Sequence, residues 1–242
     1  GQPDAYIAMG LTAENVAERY GVSREDQDRY AQRSQERAVA AQSSGFFDRE
    51  IVPVTLPDGT VVSKDDGPRP NSTLEKLATL EPAFKEGGTV TAGNSCPLND
   101  GAAAALIMSD TKAKELGLKP RARFVTSATW GNEPEYMGVA PIGAIKKVLE
   151  RANMTIDDID VVELNEAFAA QVLPIAEECK IDMEKLNPHG GAIALGHPFG
   201  MTGVRILATL LNDLETLDGQ YGLETMCVAQ GQGVAAIFER LS

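Results

Sequence analysis

The sequence predicts an α/β fold, with a mixed, loop-heavy region up to about residue 117 and a regular αβα region from 118 to 242. Three observations carry this expectation. Beyond residue 118, apolar runs of strand length alternate with amphipathic stretches of about 10 to 15 residues, the spacing of βαβ units. Glycine and proline clusters separate these runs and mark the turns. A chain of 242 residues with 43% hydrophobic residues is long enough to bury one large core or two smaller ones.

In chain order, "LTAENVAERYG" has helical periodicity ending at Gly21, and Ser23 is the expected N-cap of a second helix ending at Gly45. Both read as amphipathic surface helices. "REIVPVTL" alternates like a strand, and the stretch from Pro57 onward has turn chemistry. "TLEKLATLEPAF" predicts a short helix, and "GGTVTAGNSCPLNDGAAAALIMSD" a loop entering an apolar strand. In the second region "RARFVTSATWG" predicts a strand, "PIGAIKKVLERAN" a helix, "IDVVELN" a buried strand and "EAFAAQVLPIAEECK" a helix. "GGAIALGHPFGMTGVRILATLLNDLE" predicts a glycine-rich turn and a long apolar helix, and "YGLETMCVAQGQGVAAIFERL" two strands joined by a tight turn.

Composition removes several function classes. The formal charge of −13 argues against a nucleic-acid surface, which needs clustered cations. No apolar run reaches the ~18 residues of a membrane span, and the first residues lack a signal-peptide layout. The expectation is a soluble protein of the cytoplasm or an organelle matrix. Three widely spaced cysteines and two histidines do not make a disulfide framework, a CxxC zinc site or a histidine-rich metal centre.

Three places put a reactive side chain at the end of an apolar element, where ligands bind α/β sheets. They are Asn165 with Glu166 after "IDVVEL", His197 in "GGAIALGHPFG", and Cys227 in "TMCVAQGQG". Asn165 reads as the N-cap of the following helix, which is compatible with a catalytic duty. Glu166 reads as a first-turn carboxylate facing the helix dipole. Glycines around His197 allow close approach, and those after Cys227 place backbone N–H groups beside a thiol. His189 has weaker support, and Cys179 reads as a packing residue. "GQGVAA" resembles a dinucleotide fingerprint, but nine residues after Gly233 cannot supply its helix and second strand. The order Asn, His, Cys does not fit a papain-like protease.

In this order, "NEAFA", "GGAIALGHPFGMTG" and "MCVAQGQG" resemble the thiolases, enzymes that make or cleave 3-ketoacyl-CoA. "MGLTAENVAERYGVSREDQD", "SGFFDREIVPV", "LEKLATLEPAF", "GTVTAGNSCPLNDGAAA" and "MGVAPIGAIKKVL" extend the resemblance to residues 5 to 242. It implies a thiolase-like fold, with a loop domain over 1–117 and the C-terminal domain over 118–242. It implies a transferase of lipid metabolism, in which His197 activates a nucleophilic cysteine and helps form an oxyanion hole. Asn165 holds a water in that hole, and Cys227 is the acid/base at the α-carbon. Arg69 lies by the CoA nucleotide, Met137 and Cys96 line the acyl and pantetheine channel, and the Ala229 N–H serves a second oxyanion hole. No cofactor is implied beyond the coenzyme A thioester itself.

The sequence departs from the family pattern in three places. Ala229 and Gln230 stand where relatives have glycines, and Cys96–Pro97 replaces a Ser-Gly pair. None of the three cysteines has the context of the family's acylated cysteine. The expectation is therefore a chain without the N-terminal nucleophile domain, inactive alone, and completed by a missing half, a second subunit or self-association. The rival expectation is a non-catalytic acyl-CoA-binding or scaffold subunit. A fatty-acid synthase condensing enzyme is disfavoured, because those relatives pair two histidines with the cysteine.

Overall fold

A computed structural model describes residues 4–241. Two helices open it, α1 (Met9–Tyr20) and α2 (Arg24–Ser44). Their ends follow local chemistry. Gly21 and Gly45 adopt the left-handed conformation as C-caps, and Ser23 Oγ accepts from the Asp26 N–H at the start of α2. α2 departs from a surface helix, because it buries Gln27, Asp28, Ser34 and Gln35 as well as Tyr30 and Ala31. These polar side chains hold neighbouring segments through hydrogen bonds, which a hydrophobic pattern does not reveal.

The strand expected over "REIVPVTL" shrinks to a hairpin of β1 (Val54–Thr55) and β2 (Val61–Val62), exposed throughout. Its apolar side chains face no second layer, so alternation alone does not extend the pairing. A five-residue α3 (Leu74–Ala78) starts at the Thr73 cap. The apolar strand expected from the "AAAALIM" stretch does not form. Residues 98–107 are exposed without regular structure, because no strand among the described residues lies alongside to complete their backbone hydrogen bonds. A short α4 (Asp110–Glu115), capped by Ser109, follows.

The second region forms one four-stranded sheet from β3 (Ala122–Gly131), β4 (Val161–Leu164), β5 (Tyr221–Val228) and β6 (Gln232–Arg240), in the order β3-β6-β5-β4. β4 runs parallel to β5, and the other pairs are antiparallel. The helices are α5 (Pro141–Ala152), α6 (Ala169–Glu178), the short α7 (Ala192–Leu195) and α8 (Thr202–Thr216). β4 is buried on both faces, as its continuous apolar run requires. Val162 and Leu164 join a core with Ile145 and Val148 of α5 and Val172 and Ile175 of α6. Val161 packs on the opposite face against Leu210 and Leu214 of α8. The sheet therefore lies between α5 with α6 and α8, the expected αβα arrangement. Val16, Tyr30, Ala31 and Leu77 from the first region share the α5–α6 core.

α6 starts later than the sequence suggests. Phe168, not Asn165, is its N-cap residue, and residues 165–168 are non-helical. An antiparallel bridge between Ser95 and Phe168 and a bond from the Cys96 N–H to the Ala167 carbonyl (2.9 Å) hold this stretch extended. Pairing with a distant segment overrides the local capping signal.

Candidate active site

The parallel register of β4 and β5 puts Leu164 opposite Thr225, and the Asn165 N–H continues the ladder by donating to the Thr225 carbonyl (3.0 Å). Asn165 thus sits beside the end of β5 that carries Cys227. It is fully buried, yet among the described residues neither Oδ1 nor Nδ2 has a hydrogen-bond partner. Native proteins rarely leave a buried amide unsatisfied on both atoms, which sets Asn165 apart from the other buried amides at this end of the sheet.

Cys227, at 6% exposure, shares an apolar cluster with Met137 and Ala167, against which Cys96, Phe168 and Met9 pack. Met137 enters from the 3-10 turn over Pro134–Val139, and Cys96 from the segment bonded to Ala167. Two of the expected channel residues therefore reach the thiol. Burial pushes the Cys227 thiol above its ordinary pKa, opposed by a hydrogen bond from Gln171 Nε2 to Sγ (3.2 Å). Cys96 is pushed up to about 11, by burial first and by the neighbouring Cys227 second.

His197 occupies the turn that precedes α8. Its Nδ1 is 2.6 Å from Thr202 Oγ1, and that hydroxyl donates to the Pro198 carbonyl (2.9 Å). Thr202 has a single hydroxyl proton, so it accepts from Nδ1–H, which leaves Nε2 as the unprotonated nitrogen. Burial, assisted by the nearby Arg205, lowers the His197 pKa and favours this neutral form. Asn99 Oδ1 accepts from the His197 N–H (3.3 Å), so the segment carrying Cys96 to the Cys227 cluster also reaches the His197 turn. Gly196 (φ 91°) is required there, because a Cβ would lie 2.1 Å from the Asn99 amide nitrogen.

Glu166 corrects the reading of a first-turn carboxylate. It lies ahead of α6 and is completely buried, accepting from Tyr30 Oη (2.7 Å), Ser34 Oγ (2.6 Å), Asn187 Nδ2 (2.8 Å) and the Ile193 N–H (3.1 Å). A Cβ on Gly191 would stand 2.2 Å from its Cδ. Glu166 thus ties α2 to the glycine-rich loop that leads to His197, and four donors supply what a buried carboxylate needs.

The other residues are dispersed. Arg69 is exposed, and its backbone N–H donates to Gln35 Oε1 (2.7 Å) on α2. Gly67, two residues earlier, passes close to the Ala194 carbonyl, so this loop rests on the segment before His197. Ala229 lies in the exposed turn joining β5 to β6, two residues after Cys227. His189 pairs with the buried Asp213 and stacks on Phe46 at 3.7 Å between centroids, a packing role. Cys179 is buried in the main core, where burial raises its thiol to about 11. Sequence reasoning missed Gln171, Thr202 and Asn99. A polar side chain on an apolar helix face was the signal for Gln171, and a hydroxyl at the start of α8 for Thr202.

The structure defines an α/β protein that carries Asn165, His197 and Cys227 at strand and helix ends. The thiolase C-terminal domain model matches residues 118–240, and the thiolase N-terminal domain model matches residues 3–111. The chain belongs to the thiolase family. It is 52% identical over 236 residues to a probable acetyl-CoA acyltransferase of Staphylococcus aureus strain COL, covering 96% of this chain and 60% of that protein. It is 52% identical over 239 residues to a beta-ketoadipyl-CoA thiolase of Acinetobacter baylyi, with the same coverages. The crystal structure of the Bacillus anthracis acetyl-CoA acetyltransferase superposes with a TM-score of 0.96 at 45% identity, covering 99% of this chain and 62% of that one. The chain thus spans about three fifths of the length of these relatives. The match of the N-terminal domain model to residues 3–111 gives no support to the expectation that the N-terminal nucleophile domain is missing.

Proposed function

We propose that this chain supplies acid/base and oxyanion groups for thiolase-type acyl transfer on acyl-CoA, either 3-ketoacyl-CoA thiolysis or Claisen condensation. The observation that carries the reading is the Asn165 amide, buried beside the Cys227 end of β5 with both polar atoms unpaired among the described residues. In this reading, Asn165 holds a water whose proton meets the thioester oxygen as negative charge develops there. In the same reading His197, with Thr202 holding Nδ1, uses its unprotonated Nε2 to take the proton of the nucleophilic cysteine and then offers that proton to the thioester oxygen. Cys227 takes the α-proton as the condensing carbanion forms, or returns it on cleavage.

Met137 and Cys96 line the acyl and pantetheine path, the Ala229 N–H serves a second oxyanion hole, and Arg69 meets the nucleotide phosphates of CoA. The reaction uses the thioester as substrate and takes no further cofactor, nucleic acid or membrane. The compartment in this reading is the cytoplasm or an organelle matrix. Among the described residues no helix is long and apolar enough to cross a membrane.

The covalent step needs a nucleophilic cysteine. Cys179 lies in the core and Cys96 is held protonated by burial, so we assign the nucleophile to neither; it comes from a further thiolase segment or a second subunit. Leu98, Leu106 and Ile107 are 98%, 78% and 84% exposed, which favours a partner or homo-oligomer covering them. Size-exclusion chromatography over a range of concentrations tests this, and a strictly monomeric chain counts against it.

Deuterium exchange at the α-carbon of acetyl-CoA tests the chemistry. The reading expects exchange with the unsubstituted chain and its loss in Cys227→Ser. No exchange in either favours a non-catalytic acyl-CoA-binding subunit, and full thiolysis by the isolated chain rejects the assignment of the nucleophile elsewhere.

A further inference from the structure

We propose that Gln171 is the positioning residue of Cys227, its side-chain amide donating to the sulfur so that the thiolate is favoured and aimed along one direction. The inference rests on the acid/base reading of Cys227 and adds a residue to it.

The argument begins with what surrounds the thiol. Met137, Ala167, Phe168 and Met9 are apolar, and the titratable group that faces the sulfur from the neighbouring segment is the Cys96 thiol. A thiolate formed there loses hydration and gains nothing from these neighbours. Glu166, close in sequence, directs its carboxylate to Tyr30, Ser34 and Asn187. Among the described residues, the side-chain partner of Sγ is the Gln171 amide, with Nε2 at 3.2 Å and Oε1 at 3.7 Å. The nearer atom is the donor, which suits a sulfur carrying negative charge.

The side chain is confined by its place in the helix and by the close approach of Gly138. Gln171 is 1% exposed in the first turn of α6, with its backbone N–H donating to the Phe168 carbonyl (3.1 Å). A Cβ on Gly138 would lie 3.1 Å from Gln171 Cβ and 3.2 Å from Oε1, so that glycine makes room for the side chain. The Pro134–Val139 turn that contains Gly138 also delivers Met137 to the thiol. One turn therefore shapes both the apolar wall around Cys227 and the slot for its hydrogen-bond donor. Burial and the Gln171 bond act on the thiol in opposite directions, the bond lowering its pKa.

The test reads Cys227 directly. The rate of its alkylation by iodoacetamide is followed against pH by peptide mass spectrometry, in the unsubstituted chain, Gln171→Met and Gln171→Glu. Cys179 in the same digest reports whether the core stays closed. The expected result is a Cys227 midpoint raised by about one unit in Gln171→Met, a roughly tenfold lower rate below the midpoint. Gln171→Glu raises it further, because a carboxylate opposes the thiolate. A purely structural role leaves the midpoint in place, and an unchanged midpoint in both variants overturns the proposal.

If either variant exposes Cys179, side-chain amide NMR of the glutamine-labelled unsubstituted chain decides. The Gln171 Nε2–H resonance must titrate with the Cys227 midpoint, and a resonance indifferent to it overturns the proposal. A shifted midpoint in the variants together with no α-carbon exchange by the unsubstituted chain would reject the acyl-transfer reading while retaining this one. An unchanged midpoint alongside Cys227-dependent exchange rejects this one alone.

Discussion

Thr202 Oγ1 accepts from His197 Nδ1–H at 2.6 Å while donating its own proton to the Pro198 carbonyl. This fixes the tautomer from inside one turn. Thr202 lies at the start of α8 and Pro198 in the preceding loop, so the orientation of the imidazole depends on that helix start.

Thr202→Val removes the acceptor and the donor while keeping the side-chain shape. We expect α-carbon exchange to fall about tenfold or more, as the imidazole beside the reacting thioester loses its fixed orientation. Folding loses about 1 kcal/mol through the missing bond to Pro198. Thr202→Ser restores both hydrogen bonds and should recover most of the rate. Equal rates in the two variants would show that Nε2 is oriented by another contact.

Asn165→Ala should damage chemistry more than folding. The side-chain amide has no hydrogen-bond partner among the described residues, and the backbone bond to Thr225 survives the substitution. Loss of an oxyanion-hole donor lowers the rate by roughly 100- to 1,000-fold. The melting temperature, by scanning calorimetry, should move by no more than a few degrees. A large thermal loss with little change in exchange would assign the amide a structural duty.

Glu166 should behave in the opposite way. Replacing it by Ala strands Tyr30, Ser34 and Asn187 in a sealed interior, and breaking a buried charged network of this kind costs about 3–5 kcal/mol. Tyr30→Phe removes one donor and should cost about 1–3 kcal/mol. Urea denaturation orders the two variants, and a Glu166→Ala chain as stable as the unsubstituted one would contradict the network.

Stability should fall as pH rises from about 4.5 to 8. Burial raises Glu224 from 4.5 to about 8, and Glu50 to about 7. A carboxyl whose folded pKa lies above its unfolded value stabilises the fold fully below the unfolded pKa. That contribution disappears as pH climbs through the folded pKa. Glu224→Gln keeps a neutral side chain at every pH and should melt roughly 3 °C or more above the unsubstituted chain at pH 9, with a smaller gap at pH 5. Parallel melting curves across pH would rule out Glu224 as the titrating group.

Elements with local causes were legible in the sequence. Gly21, Ser23 and Gly45 bound α1 and α2 because caps act within one turn of chain, and β4 was visible because a strand buried on both faces is apolar without interruption. The blocks around Asn165, His197 and Cys227 carried the family, since each binds chemistry to a short run of neighbours. The rest depended on partners distant in sequence. Asn165 looked like a helix cap until the Cys96 segment paired with residues 167 and 168 and kept the chain extended. Glu166 looked like a dipole partner until α2 supplied two of its donors. Gln171 is one polar residue in an apolar helix, and nothing local ties it or Cys96 to Cys227. Folding puts both at Cys227, fifty-six residues from Gln171 along the chain. Sequence alone determined the α/β class and the capped helix ends, because those follow from local backbone and burial preferences, and it named the candidate reactive groups through their short motifs. Tertiary structure alone decided which polar atoms face each other in the interior, because a buried hydrogen bond takes whichever partner the packed fold brings within about 3 Å.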